Sequence, residues 1–363
     1  MEAKLILRFL SIFLIPALLM SCKKGTYTPV GDDLPDEPYT LEYGFLPPPN
    51  LPQDNPLTRE GVLLGRMLFY DNILSKDQSQ ACASCHNQNT GFTDAMQFSI
   101  GVNGLSGLRN SMSAFNMAWN TNGFFWDGRA QLLRHQVLLP IQDELEMDES
   151  LTNVLNKLNG SLLYKGQFYK AFGTSAITEE LIAKALEQFL LSIVSSDSKY
   201  DQYLAGTYTF SELEERGRFL FFTEVNPGFP EMSGADCVHC HSGLNFSNNM
   251  YMNNGLDTDS EMTDLGRQNV TNNPNDKGKF KTVSLRNIEL TAPYMHDGRF
   301  NTLEEVILHY NLVTQSSTLD PSFEQQLPNG LQLSEYDIQA LVAFLKTLTD
   351  ESLASNAKYA TPF

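Results

Sequence analysis

The chain has 363 residues and five cysteines, and 43 acidic against 25 basic residues leave a formal charge of −18. That length sets an expectation of two domains, and that charge argues against nucleic acid as a partner. An acidic surface keeps a protein soluble, and it can equally steer a basic protein partner toward it.

Met1 to Met20 reads as an export signal. Lys4 and Arg8 form a positive leading region, and Phe9 to Met20 is an apolar run of matching length. The run is too short for a comfortable membrane span. It ends in Leu18-Leu19-Met20-Ser21-Cys22, the pattern of a bacterial lipobox with Cys22 as the lipidated first residue. A free exposed thiol in an oxidising compartment is a liability, which favours lipidation over a stray cysteine after a plain cleaved signal. Residues 22–50, rich in Pro, Gly, Asp and Thr, are expected to form a flexible tether. With 1–21 removed, the mature chain is expected to be a membrane-anchored lipoprotein in the periplasm of a Gram-negative bacterium.

Thr58 opens a helix with Val62, Leu63 and Met67 on its apolar face. Next comes Cys82-Ala83-Ser84-Cys85-His86, a Cys-x-x-Cys-His string, and a second follows at Cys237-Val238-His239-Cys240-His241. This spacing is the attachment site of a c-type haem. Two thiols add across the haem vinyl groups, and the adjacent imidazole reaches the iron. A structural zinc site needs four ligands brought together, yet the two strings lie a whole domain apart. A thioredoxin-type motif expects a βαβ setting, which neither string has. Two covalently bound haem c groups account for four cysteines, and the lipid for the fifth.

Thr178 caps a helix carrying Leu181, Ile182, Ala185, Leu186, Phe189 and Leu190 on one side. Ser211-Glu212-Leu213-Glu214 and Thr302-Leu303-Glu304-Glu305 fit the capping box. Ser334 starts the last helix, with Ile338, Leu341, Val342 and Leu345 inward. Strand-like alternation is sparse, and Asn245 to Lys281 reads as a long loop. Leu108-Arg109-Asn110 followed by Trp126-Asp127-Gly128-Arg129 is echoed by Leu285-Arg286-Asn287 followed by His296-Asp297-Gly298-Arg299. Trp126 and His296 hold comparable places in the echo. The expected fold is therefore mainly helical with long irregular loops, in two related haem modules over residues 51–205 and 206–363.

From about Leu57 to Leu348 these features resemble the bacterial di-haem cytochrome c peroxidase family, including its MauG branch. The resemblance rests on both haem strings, Leu64-Gly65-Arg66-Met67-Leu68-Phe69-Tyr70-Asp71 and Leu108-Arg109-Asn110-Ser111. It rests further on Phe125-Trp126-Asp127-Gly128-Arg129-Ala130 and Thr291-Ala292-Pro293-Tyr294-Met295-His296-Asp297-Gly298. It implies a mainly α fold of two cytochrome c-like haem domains with long irregular loops, an N-terminal haem that handles peroxide, a C-terminal haem that handles electrons, and a calcium ion between them.

Carried over residue by residue, the resemblance makes His86 and His241 the proximal iron ligands. The family's distal histidine position falls on Val102, which cannot bind iron, so the first haem is expected to be open. A gap in the register would make Met96, Met112 or His135 the nearest alternative. Glu146 falls on the catalytic acid that shuttles a proton during peroxide cleavage. The competing reading is a solvated acid in the run Asp143, Glu144, Glu146, Asp148, Glu149. Gln136 and Pro140 match pocket walls, and Trp126 matches the tryptophan between the haems. The sixth ligand of the second haem falls on Tyr310, where the MauG branch has Tyr and most family peroxidases have Met. Leu303, Val306, Ile307 and Tyr310 share one helix face. His309 is expected to point elsewhere and pair with Glu305, while Met295 and His309 are the rival ligands. Asn110, Thr291 and Pro293 match the calcium site, whose oxygens suit a hard cation.

The expected function is a di-haem c-type peroxidase that reduces hydrogen peroxide to water. Its electrons would come from a small periplasmic donor such as a cytochrome c or cupredoxin. The alternatives are a MauG-like oxidase acting on residues of a partner protein and a non-catalytic di-haem electron carrier.

Overall fold

Ser or Thr side chains start every long helix. In the computed structural model, which describes residues 37–326 and 329–363, seven helices have nine residues or more. They are α1 (Arg59–Tyr70), α2 (Leu151–Gly160), α3 (Leu162–Phe172), α4 (Glu179–Ser192), α5 (Glu212–Phe222), α6 (Leu303–Asn311) and α7 (Glu335–Lys346). Their N-caps are Thr58, Ser150, Ser161, Thr178, Ser211, Thr302 and Ser334, each accepting the backbone N–H three residues on. Such a cap is worth about 1 kcal/mol, because it satisfies an otherwise orphaned donor. The reading of residues 1–21, Cys22 and the start of the tether lies outside the described residues. No described helix is long and apolar enough to cross a membrane.

Between the helices the chain runs through short turns and irregular segments, so the fold is mainly α, as expected. Among the described residues, beyond isolated bridges, one antiparallel ladder forms, Tyr251–Met252 with Phe280–Lys281, in the register Tyr251 to Lys281 and Met252 to Phe280. It closes the base of the segment expected to be a plain loop.

The apolar interior forms two clusters. The first holds Leu64, Leu68 and Phe69 of α1, Phe92, Phe168 of α3, and Leu186 and Phe189 of α4. Leu353 and Tyr359 near the C-terminus also belong to it. The second holds Leu220 and Phe221 of α5, Phe246, Leu303 and Ile307 of α6, and Leu341 and Phe344 of α7.

Each cluster is built on one helix crossing, and the two crossings repeat. A Cβ at Gly65 would stand 1.9 Å from the Ala185 carbonyl oxygen and 2.8 Å from Phe189 Cβ. A Cβ at Gly217 would stand 1.9 Å from the Ala340 carbonyl oxygen and 2.7 Å from Phe344 Cβ. Only glycine lets the backbones approach this closely. The sequence around the contact repeats too: Gly65-Arg66-Met67-Leu68-Phe69 against Gly217-Arg218-Phe219-Leu220-Phe221. The internal echo therefore extends upstream of both haem strings.

Candidate active site

Each Cys-x-x-Cys-His string makes one tight turn. Cys82–Cys85 is a single helical turn and Cys237–His239 a 3₁₀ turn. The backbone N–H of His86 donates to Cys82, and that of His241 to Cys237. No disulfide joins these four cysteines, and all four line one cavity of about 970 Å³ together with both histidines. Enclosure by the cavity walls pushes the thiols of Cys82, Cys237 and Cys240 up to about 12, and shifts Cys85 the same way. That is the reverse of the shift that activates a redox thiolate. Among the described residues no three His, Cys, Asp or Glu side chains converge as a metal cluster.

The imidazoles are oriented from behind. His86 Nδ1 lies 2.9 Å from the Phe92 carbonyl oxygen. His241 Nδ1 lies 3.2 Å from the Phe246 oxygen and 3.1 Å from that of Val283. Carbonyls only accept, so Nδ1 carries the proton and Nε2 keeps its lone pair, as a metal-binding imidazole requires. Phe92 and Phe246 both sit at positive φ, +58° and +52°, an unusual backbone for a bulky side chain and one that recurs at functional sites. The donor set, the thiol pairs and the shared cavity fit two haem c groups.

Glu146, Gln136 and Pro140 line the same cavity on the side of the first string. Burial pushes the Glu146 carboxyl up to about 7, the charge of Asp143 adds to the shift, and Arg129 opposes it. Asp143 of the acidic run lines the cavity too, while the two acids that follow Glu146 are engaged elsewhere. Asp148 pairs with Lys76 at 2.5 Å, and Glu149 with Lys157 at 2.5 Å. The Glu146 loop is pinned to residues 101–102: Val102 N–H donates to the Glu146 carbonyl at 2.8 Å. A Cβ at Gly101 would stand 2.2 Å from the Leu145 carbonyl oxygen. Val102 itself does not line the cavity. Of the alternatives considered for that iron, neither Met96 nor His135 lines the cavity; Met112 does, but its backbone hydrogen-bonds the His86 ring.

Trp126 stands where the two halves of the chain meet. Its Nε1–H donates to the Asn110 carbonyl at 2.8 Å, and Asn110 N–H donates to the His296 carbonyl at 2.7 Å. One residue, Asn110, thus links the two echoed residues through its carbonyl and its N–H. The segment 245–281 clamps the same spot. Lys281 N–H donates to the Trp126 carbonyl at 2.8 Å, and Arg267 Nη1 to that of Asp127 at 2.8 Å. Arg109 bridges Asp127 at 2.6 Å and Asp264 at 2.7 Å. Phe280 stacks on His296, centroids 3.6 Å apart and 11° from parallel. None of these long-range partners has a local sequence signal.

Asn110, Thr291 and Pro293 also line the cavity. The Asn110 side-chain amide donates to the Met96 and Gln97 carbonyls at 3.1 and 3.2 Å, which leaves its Oδ1 as the free end.

On α6, Leu303, Val306, Ile307 and Tyr310 all face the cavity. Burial pushes the Tyr310 phenol up to about 12, against an opposing hydrogen bond from Asn254. The expected pairing of His309 with Glu305 does not occur. Glu305 Oε2 instead caps its own helix, accepting from Asn301 and Thr302 N–H. His309 Nε2 lies 3.0 Å from the Asn254 carbonyl oxygen. The loop around Asn254 delivers a better partner than the helix's own previous turn. His309 does not line the cavity, whereas Met295 does.

A family model described as di-haem cytochrome c peroxidase matches residues 59–209. The chain is 33% identical to methylamine utilization protein MauG of Methylophilus methylotrophus, over 84% of this chain and 87% of that protein. It is 34% identical to cytochrome c551 peroxidase of Nitrosomonas europaea, over 79% of each. Among solved structures, a MauG-like protein associated with microbial copper homeostasis superposes with a TM-score of 0.79 at 33% identity. That match covers 88% of this chain and 97% of the other.

Proposed function

The chain belongs to the di-haem cytochrome c peroxidase family, and from that premise we propose that it reduces hydrogen peroxide to water with electrons from a small protein donor in the periplasm. The observation that carries this reading is Glu146, a cavity-lining carboxyl whose pKa is pushed up to about 7 beside the first Cys-x-x-Cys-His string. When bound, the two haem c groups supply the metal at which the O–O bond breaks and the store of reducing equivalents. The rest falls to the protein.

Cys82 and Cys85 would hold one group and Cys237 and Cys240 the other, and His86, His241 and Tyr310 are the side chains that would bind the irons. Cleavage consumes two electrons and two protons and releases two waters. Glu146 takes the proton from the near oxygen of the peroxide and returns it to the leaving oxygen. A group poised near neutrality performs both transfers efficiently. Gln136 offers a hydrogen bond from the opposite wall. Val102, lying off the cavity, leaves peroxide free to enter without prior reduction. Trp126 bridges the two halves as the electron route. Asn110 with the Thr291 and Pro293 carbonyls is suited to one calcium ion, which would stiffen the same joint. The export signal and Cys22 support a lipid anchor at the membrane surface.

A MauG-like oxidation of a partner protein is the second reading, favoured by a tyrosine rather than a methionine at position 310 and by the valine at 102. The test is turnover of peroxide by the holoprotein with a reduced small cytochrome c or cupredoxin. Sustained donor oxidation, with two donors consumed per peroxide, is the expected result. Peroxide consumption without donor turnover would favour the second reading, and no consumption would leave an electron carrier.

A further inference from the structure

Two side chains that could bind an iron, Tyr310 and Met295, are both held by one amide. Asn254 Nδ2 lies 3.1 Å from the Tyr310 phenol oxygen and 3.5 Å from the Met295 sulfur. All three residues line the cavity.

The amide is held firmly. The Asn254 carbonyl oxygen accepts from His309 Nε2, the residue next to Tyr310 on α6. Asn253 is buried, and its side-chain amide donates to Ser316 Oγ and Thr318 Oγ1, each at 2.9 Å. Asn253 Oδ1 accepts from Gly255 N–H at 3.0 Å, and Thr314 N–H donates to the Gly255 carbonyl at 2.9 Å. Gly255 sits at φ +65°, where a Cβ would stand 2.5 Å from the Thr314 oxygen. The position of Asn254 is thus fixed from both flanks, and its amide defines where two potential ligand atoms lie.

We propose that Asn254 is a positioning residue that selects the sixth ligand of the second haem, presenting the Tyr310 oxygen to the iron while keeping the Met295 sulfur off it. The inference rests on Tyr310 being that ligand. A donor N–H stabilises a phenolate by a charge-assisted bond and fixes its direction. The same amide, which has two N–H donors, also occupies a lone pair of the thioether, a weak acceptor that gives up little in accepting it. Without the amide, the sulfur loses its tether and the phenolate loses its donor. Methionine is a common ligand of c-type haem and raises its potential, so the balance should tip toward Met295.

The test compares diferric holoprotein of the wild type, Asn254→Ala, Met295→Leu and the double variant. The readouts are the near-infrared thioether-to-iron charge-transfer band, the electron paramagnetic resonance of the second haem and its midpoint potential. Wild type and Met295→Leu should lack the thioether band. Asn254→Ala should gain it and show a raised potential, and the double variant should lose it again. Asn254→Asp preserves size but cannot donate, and it should shift the ligand in the same direction, so poor folding of the alanine variant does not shield the idea. An unchanged spectrum and potential in both Asn254 variants would overturn the selecting role while leaving Tyr310 as ligand. A thioether band already present in the wild type would overturn both.

Discussion

Enclosure holds the Glu146 carboxyl near 7 instead of its ordinary 4.5, so this group changes protonation around neutral pH. Glu146→Gln should slow the peroxide step by about 10²-fold or more, the usual scale for general acid–base catalysis. The wild-type rate should inflect near pH 7 and the variant's should not; an equal rate or a retained inflection in rapid-mixing experiments would remove Glu146 from the reaction. The same shift predicts a stability effect. Below its ordinary pKa the group is protonated in both folded and unfolded chains and contributes nothing. Between 4.5 and 7 the unfolded chain ionises while the folded one resists, so stability falls as pH rises, and the whole penalty is present above 7. Glu146→Gln should therefore melt at a higher temperature than the wild type at about pH 8 and at the same temperature at about pH 4. A melting difference independent of pH would contradict this. The sequence offered five acids in one run and only the family resemblance picked one. What sets three of them apart is remote: Lys76 and Lys157 claim Asp148 and Glu149, and the walls of the cavity enclose Glu146, with Asp143 beside it.

At the scale of elements, the two halves share one device, a glycine on α1 or α5 crossed by an Ala and a Phe of α4 or α7. Gly65→Ala or Gly217→Ala forces a methyl into a backbone carbonyl that cannot move without its helix. Overpacking of this kind costs about 1–3 kcal/mol, outweighing the better helix propensity of alanine. Gly160 ends α2 with nothing within 4 Å of its would-be Cβ, so Gly160→Ala should be neutral or stabilising. Chemical denaturation of the three variants checks the contrast, and equal effects at all three sites would contradict it. Helix starts were legible because a cap acts over three residues. The glycine repeat was legible as well, in Gly-Arg-x-Leu-Phe, although the echo drawn from the sequence began further downstream. The environment of His309 was not. Helical spacing offers Glu305, whereas its partner Asn254 comes from a loop 55 residues away. The ladder that closes that loop is two residues long on each side, too short to leave an alternating pattern.

Across the whole molecule, the joint around Trp126 is held by charges from both halves. Arg109 joins Asp127, beside Trp126 in the first half, to Asp264 in the loop of the second. Arg109→Met leaves Asp127, whose side chain is only 6% exposed, without this cation. Breaking a buried pair from one side costs about 3–5 kcal/mol, and a loss of that size in denaturant titrations is expected. A loss below about 1 kcal/mol would mean that Arg129, which also reaches Asp127 at 3.2 Å, carries the site alone. Sequence spacing identified the two haem strings and their order along the chain, because covalent attachment is a local requirement. It did not reveal that the loop after the second string folds over the tryptophan after the first, since nothing local encodes a contact between distant segments.

We propose that the first haem site is open and that its acid stands ready in the fully oxidised protein. Stopped-flow optical spectroscopy of the diferric holoprotein, mixed with one equivalent of hydrogen peroxide, distinguishes an open site from a closed one. The Soret band should change rapidly without any prior reduction, and more slowly in Glu146→Gln. A spectrum that stays still until the second haem has been reduced would refute an open first site.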